Sequence, residues 1–341
     1  MKDLLVIGGG PAGLATALHA TRAGLDVSLW DRRVGTIDKA CGEGLMPGAV
    51  TALAELGITP AGEELRGIRY VAGHRAVEAP FRGGPGRGVR RTTLHDAMTA
   101  AAADAGVKSE QRCAADVRSL ADGVQVDGER FRYVVAADGL HSPVRRMLGL
   151  EARPTRHRRY GLRRHFEVEP WTSYVEVHWA DWVEAYVTPV APDTVGVALL
   201  TSARGSFDEQ LRLFPSLLPR LRDARRAGRV LGAGPLRQRV SSRVTGRVLL
   251  VGDAGGYVDA LTGEGVALAV AEARAAVAAI VADDPARYEH DWHRVTRRYR
   301  MLTAGLLGAT RFGPVRRRLV PAAERLPAVF AAAVDSLARP A

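Results

Sequence analysis

The stretch Leu4-Leu5-Val6-Ile7-Gly8-Gly9-Gly10-Pro11-Ala12-Gly13 decides the fold of this chain. Its four apolar residues predict a buried strand, and a glycine-dense turn follows at once. Leu14 to Ala23 then reads as a helix of small residues, and Leu25 to Trp30 as a second strand ending at Asp31. The motif is Gly-x-Gly-x-x-Gly between a strand and a helix, the setting in which it binds a dinucleotide. Gly8 turns the chain, Gly10 lets backbone approach a pyrophosphate, and Gly13 packs helix on strand. Pro11 and Ala12 lie at the helix start, whose free N–H groups and positive dipole end face the phosphates. Asp31, with Arg32 beside it, stands where a carboxylate accepts both hydroxyls of an adenosine ribose. An acid there favours FAD or NAD over NADP.

A chain of 341 residues can bury a large core, here expected as two joined lobes. Apolar residues at 47% and charged residues at 25% are ordinary for a globular protein. No stretch is long and apolar enough to span a bilayer, and the opening strand carries no secretory leader, so the expected location is the cytoplasm. Cys41 and Cys113 are the only cysteines and lie outside any metal-ligand spacing, so two reduced thiols and no metal site are expected. The net charge of +11 comes almost wholly from arginines, scattered apart from clusters at Arg156–Arg159, Arg222–Arg229 and Arg316–Arg318. That pattern reads as solvated surface. With no recognition helix and no aromatic-basic interleaving, nucleic acid is not an expected partner. If the charge matters, it suits an anionic substrate or one borne on an acidic carrier protein. The chain is expected to be a monomer or a weak dimer.

A turn at Pro47–Gly48 followed by a helix through Leu56, and a second helix from Thr92 to Ala105, are expected, with glycine-bounded strands at Leu65–Val71 and Arg75–Phe81 between them. Gln111–Leu120, Val124–Val126 and Arg130–Ala136 read as further strands, the last ending at Asp138-Gly139. Alternating runs at Tyr160–Val168, Tyr174–Trp179, Trp182–Pro189 and Thr194–Leu200 predict an antiparallel sheet. Helices at Phe207–Leu213 and on to Ala227 should close that lobe. The α/β pattern returns at Val248–Asp253, an alanine-rich helix spans Gly265 to Val281, and basic amphipathic helices follow. The fold class is therefore α/β. Residues 1–155 plus 243–282 form a discontinuous Rossmann-like nucleotide lobe of the glutathione-reductase type, with a small β insertion at about 64–90. Residues 156–242 form an antiparallel β-sheet substrate lobe, and 283–341 a C-terminal helical segment.

Three blocks in order carry a family likeness: Gly8-x-Gly10-x-x-Gly13, then Ala137-Asp138-Gly139-Leu140-His141-Ser142-Pro143-Val144-Arg145, then Val251-Gly252-Asp253-Ala254-Gly255-Gly256 with Leu261-Thr262-Gly263-Glu264-Gly265. Together they resemble the FAD-dependent monooxygenases of the para-hydroxybenzoate hydroxylase fold, nearest the geranylgeranyl reductases and flavin halogenases. The resemblance implies FAD. Gly252 and Asp253 would meet the ribityl chain, and Gly263, Glu264 and Gly265 would open the long helix toward the flavin pyrimidine, where its dipole favours negative charge. It also implies that Arg91 faces the FAD phosphates, that Val117 lines the adenine through its backbone, and that Asp138 and Gly139 close over the pyrophosphate. With no second dinucleotide fingerprint, NADH or NADPH would dock transiently, or a partner flavin reductase would supply electrons.

Lys39-Ala40-Cys41-Gly42-Glu43-Gly44-Leu45 resembles the Cys-Gly loop of the geranylgeranyl reductases, which approaches the flavin ring. Cys41 and Gly42 are expected beside that ring, with Cys41 and Glu43 as candidate catalytic groups. In Glu184-Ala185-Tyr186-Val187-Thr188-Pro189 only the proline survives from the halogenases' Trp-x-Trp-x-Ile-Pro, which demotes halogenation, as does the lack of an evident pocket lysine. Glu184, Tyr186 and Thr188 alternate along one strand face with Trp182. These four residues and Trp179 are the expected walls of a substrate pocket, and Tyr186 is a third catalytic candidate. The favoured expectation is a monooxygenase that hydroxylates or epoxidises a small specialised metabolite through a flavin C4a-hydroperoxide. The alternative is a carbon–carbon double-bond reductase using reduced FAD. A halogenase and a non-catalytic FAD-binding protein stand behind both.

Overall fold

Burial on both faces explains why the first strand forms where it does: Leu4, Leu5, Val6 and Ile7 are all buried. The computed structural model describes residues 1–153 and 158–339. The expected lobe boundary at 155/156 and Arg156 of the first basic cluster lie outside the described residues. The chain opens with β1 (Lys2–Ile7), α1 (Pro11–Arg22) and β2 (Val27–Asp31), then β3 (Gly44–Leu45), α2 (Pro47–Glu55), β4 (Glu63–Leu65), β5 (Gly67–Ala72) and β6 (Arg75–Pro80). Next come β7 (Gly86–Gly88), α3 (Arg91–Asp104), β8 (Lys108–Gln111), β9 (Val117–Ser119), β10 (Val124–Val126), β11 (Glu129–Ala136) and α4 (Pro143–Met147). The middle of the chain supplies β12 (Tyr160–Glu167), β13 (Tyr174–Trp179), β14 (Val183–Ala191), β15 (Thr194–Thr201), α5 (Phe207–Leu211), α6 (Leu218–Leu221) and β16 (Arg225–Ala233). It closes with β17 (Val244–Thr245), β18 (Val248–Leu250), α7 (Gly265–Val281), α8 (Arg287–Thr310), α9 (Gly313–Arg325) and α10 (Pro327–Ala338).

The first sheet runs β17-β18-β11-β1-β2-β8, with the β9–β10 hairpin folded onto β11. Strands β18, β11, β1, β2 and β8 are parallel neighbours, so strand ends and helix starts converge on one edge. Alternation sorts β1 between two cores. Leu4 and Val6 pack with residues of α1, α3 and α7, while Leu5 and Ile7 pack with Trp30, Val124, Phe131 and Val144. A strand from each end of the chain, β1 and β18, flanks β11, which is the sequence-discontinuous Rossmann-like lobe that the motifs imply.

The second sheet runs β16-β12-β15-β14-β13-β5-β6. The β5–β6 hairpin, expected as an insertion in the first lobe, completes this sheet by pairing in parallel with β13. Val183, Ala185 and Val187 pack beneath the sheet against Phe207, Leu211 and Phe214, which leaves Glu184, Tyr186 and Thr188 on the opposite face. Two expectations need correcting. Arg225–Ala233 is a strand where a helix was read to Ala227, because its backbone completes the open edge of β12. Gln111–Leu120 is not one strand: the chain leaves the parallel sheet after Gln111 and re-enters as the β9–β10 hairpin. α9 and α10 cover β6, and Phe330 of α10 sits 4.6 Å from Tyr70 between ring centroids.

Candidate active site

One cavity of about 980 Å³ runs from Asp31, past the glycine turn, to Leu306 of α8 and Leu337 of α10. That is at the upper end of the roughly 300–1,000 Å³ range of small-molecule sites. The glycines at its mouth are set by contact. A Cβ on Gly13 would lie 1.8 Å from the Gly8 carbonyl, and one on Gly8 would lie 2.4 Å from that of Ala137. A Cβ on Gly10 meets nothing within 4 Å, so that backbone faces the cavity as a cradle beside the N-terminus of α1, where Pro11 and Ala12 also line the wall. The Asp31 carboxylate accepts from Gly9 N at 2.7 Å and pairs with Arg33 at 2.9 Å. Burial opposes its charge, but these hydrogen bonds hold its pKa below the usual carboxylate value.

Arg32, Gly42, Arg91, Asp138, Gly139, Gly252, Asp253, Gly263 and Gly265 line the same cavity. Arg91 is buried at the start of α3, and its Nε has no hydrogen-bond partner, nor has Asp138 Oδ1. A polyanion with hydroxyl groups would satisfy both, so the residues present fit FAD. Asp138 Oδ2 accepts from Val144 N at 3.1 Å, and burial pushes this carboxyl's pKa up. Two placements correct the expected cofactor set. Val117, the first residue of β9, is buried in the core with Trp30 and Phe131, and Arg112, Cys113 and Ala114 line the cavity instead, because the chain leaves β8 just before them. Glu264 does not line it: its side chain is buried near Thr262 and Arg298, and burial lifts its pKa to about 7.

Glu43 has φ of 60° and a side chain only 1% exposed. One carboxylate oxygen accepts from Arg91 N at 2.8 Å and the other meets His165 Nε2 at 2.6 Å. Arg163, 3.8 Å away, reaches from the same strand to Asp38 and the Lys39 carbonyl. Glu43 also lines the cavity, but both its carboxylate oxygens are engaged, so the geometry makes it a buried tie between the lobes rather than a free acid. Cys41 stays on the cavity wall, half-buried, and burial raises its thiol pKa.

Of the expected substrate walls, Tyr186 lines the cavity and donates to the Leu261 carbonyl at 3.1 Å. Burial and the nearby Glu184 push its pKa far up. Trp182 is corrected. It lies before β14 in a left-handed turn (φ 71°), is 61% exposed and stacks under Arg316. Trp179 packs on Tyr70, Thr188 donates to the Gly42 carbonyl at 2.8 Å, and Glu184 pairs with Arg159; none of the three lines the cavity. Burial lifts the Glu184 pKa to about 7 against the pull of Arg159, with Asp259 adding repulsion. The far wall is instead aliphatic, with Leu140, Leu162, Leu200, Leu236, Leu261 and Leu306.

Three groups stand behind the cradle: Arg145, which closes the second motif block with no role read for it, and His95 and Glu272, which sequence reasoning missed. His95 Nε2 lies 2.9 Å from the Gly9 carbonyl, and Arg145 reaches the carbonyls of Leu140 and Ala254. Glu272 accepts from Gly252 N at 2.7 Å from inside α7. A lone acid amid the buried alanines of that helix was the available signal.

A dinucleotide cradle joined to an aliphatic chamber defines the class: a flavoenzyme, and specifically an FAD-dependent oxidoreductase. The FAD binding domain model matches residues 1–214, and the chain belongs to that family. It is 31% identical to a menaquinone reductase of Mycobacterium tuberculosis, an alignment covering 84% of this chain and 78% of that protein. It is likewise 31% identical to digeranylgeranylglycerophospholipid reductase 1 of Methanothermobacter thermautotrophicus, over 77% of this chain and 73% of that protein. Among solved structures, the flavin-dependent brominase Bmp2 superposes with a TM-score of 0.82 at 17% identity, covering 99% of this chain and 93% of that one. A geranylgeranyl bacteriochlorophyll reductase-like protein of Thermoplasma acidophilum gives 0.75 at 22% identity, over 89% and 85%. These two show the shared fold.

Gly10→Val fills the cradle, so the purified protein is expected to lose its bound flavin absorbance. Glu43→Ala strands His165 and Arg163 in the interior and should cost about 3–5 kcal/mol in a denaturant titration; unchanged stability would restore Glu43 as a candidate acid. Burial lifts the Glu272 pKa from 4.5 to about 8. The folded state therefore binds a proton that the unfolded state has lost between those values, and stability falls as pH rises through that window. Glu272→Gln keeps an acceptor for Gly252 N. It should flatten that fall and raise the melting temperature at pH 8, with little change at pH 4.5.

Proposed function

We propose that this chain reduces a carbon–carbon double bond of an apolar, isoprenoid-like substrate. One observation carries the reading: the dinucleotide cradle opens without a break into the aliphatic chamber between Leu140 and Leu306. The names of the curated relatives, reductases of menaquinone and of a digeranylgeranyl lipid, support it. The glycine turn, Asp31, Arg91 and Asp253 would hold FAD, and the Cys41–Gly42 segment and the N-terminus of α7 would flank its ring. When bound and reduced, FAD supplies the hydride. NADH or NADPH docking transiently, or a partner flavin reductase, supplies the electrons.

The chain's own task is to exclude water, orient the alkene and provide one proton. The aliphatic walls do the first two. Tyr186 spends its proton on the Leu261 carbonyl and so braces the loop before α7. Cys41 keeps its proton because burial raises its pKa. Its sulfur only accepts, from Glu43 N at 3.4 Å, so the S–H is left to protonate the carbon opposite the hydride. Oxygen insertion is the second reading. The likeness to halogenases favours it, but at 17% identity that likeness speaks to fold.

The test is a single turnover of reduced holoenzyme with a detergent-dispersed polyprenyl substrate, without oxygen. Product carrying two added hydrogens is expected. Product that forms only in air and carries one added oxygen atom would overturn the reading. Cys41→Ala should slow the anaerobic turnover about a hundredfold while retaining FAD.

A further inference from the structure

The helices from the second half of α8 onward hold a surface that the proposed chemistry does not use. Met301, Phe312, Val315, Leu326 and Val329 are 63, 66, 46, 57 and 63% exposed, well beyond what folding alone requires of large apolar side chains. They are aligned. Met301, Gly305, Gly308 and Phe312 follow one another at helical spacing along the outer side of α8 and its exit. Val315, Leu319 and Ala322 do so along α9, in a row adjoining that of the buried Arg316, Val320 and Ala323. Exposed Trp182 stands beside this stripe, held by Arg316 with its ring 5.1 Å below the guanidinium.

The rim is basic. Arg311, Arg317, Arg318 and Arg325 are exposed around the stripe. The nearby acids are engaged: Asp181 with Arg316 and Arg317, and Glu324 with Arg75 at 3.1 Å. An aromatic-aliphatic stripe bordered by arginines is the chemistry that seats a helix in the headgroup region of a membrane. No helix among the described residues is long and apolar enough to cross one. The same layer closes the aliphatic end of the cavity through Leu306 of α8 and Leu337 of α10.

We propose that the outer face of α8, α9 and the start of α10 docks on an anionic lipid bilayer, with the apolar stripe among the headgroups and the arginines at the phosphates. The surface chemistry stands on its own residues. Its purpose, admitting a substrate from the bilayer to the chamber beneath, rests on the reductase reading.

The test is flotation of the holoenzyme with vesicles of phosphatidylcholine alone or with a third phosphatidylglycerol. Binding is expected on the anionic vesicles and should weaken with added salt. Phe312→Ser with Val315→Ser should lower the partition coefficient about tenfold or more, as should Arg311→Glu with Arg318→Glu. Both double variants should keep wild-type melting and turnover of detergent-dispersed substrate. Absence of flotation, or flotation unchanged in both variants, overturns the proposal. So does a wild-type dimer that the same substitutions split, which would give the face to a second copy. Flotation needs no turnover, so a failed reductase assay leaves this result intact.

Discussion

The buried Glu43 carboxylate is the constraint on which the two lobes depend. It belongs to the loop between β2 and β3, yet its oxygens are bound by the first N–H of α3 and by His165 on β12. The backbone takes a left-handed conformation to bring it there, which costs on the order of 1–3 kcal/mol for a residue other than glycine. The return is a fixed position for everything nearby. Cys41 and Gly42 are held on the cavity wall, Arg163 ties Asp38 and Lys39 to the second sheet, and Val89 N binds the Glu43 carbonyl at 2.8 Å. Gly196 on β15 completes the arrangement, since a Cβ there would stand 2.8 Å from the carboxylate. Were these two hydrogen bonds lost, the loop beside the cavity would lose its anchor to the second sheet.

A second anchor acts from the other end of the chain. Glu272 reaches from the interior of α7 to Gly252 N, and Arg145 holds the turn that follows from beneath, at the Ala254 carbonyl. The Gly252–Asp253 corner is thus fixed from two sides while Asp253 itself faces the cavity. Burying the Glu272 carboxyl raises its pKa, so it serves this corner most cheaply when protonated. Both anchors use long-range partners to position short loops. That is how a discontinuous lobe keeps one cofactor surface.

Local features were legible in the sequence and distant ones were not. Strand β1, the glycine turn, α1 and Asp31 lie within thirty-one residues, and each is specified by its neighbours, so periodicity and steric demand suffice to read them. The alternation of Tyr174–Trp179 and Thr194–Leu200 was readable for the same reason. Arg225–Ala233 was not, because its arginines and alanines suit a helix and only the free edge of β12, far back in the chain, makes it a strand. Trp182 was placed by alternation on a face that begins one residue later, at Val183. Glu43 looked reactive because its loop faces the cofactor, and its silencing partner His165 is 122 residues away. Placing Val117 required knowing where the chain leaves β8.

The chemistry of the cavity follows from what the fold leaves without a partner. Around the cradle, Arg91 Nε and Asp138 Oδ1 are buried and unsatisfied, which suits a phosphate-bearing, hydroxylated cofactor. Around the far chamber Tyr186 is already bonded to the Leu261 carbonyl, and Leu140, Leu162, Leu200, Leu236, Leu261 and Leu306 present hydrocarbon to a ligand. A small polar metabolite would lose its hydration in such a chamber and gain few hydrogen bonds, whereas an isoprenoid chain gains the full hydrophobic term at about 25 cal/mol per Å² buried. A ligand of that kind is scarcely soluble and resides in membranes, which connects the aliphatic wall at Leu306 to the apolar, arginine-rimmed helices that enclose it.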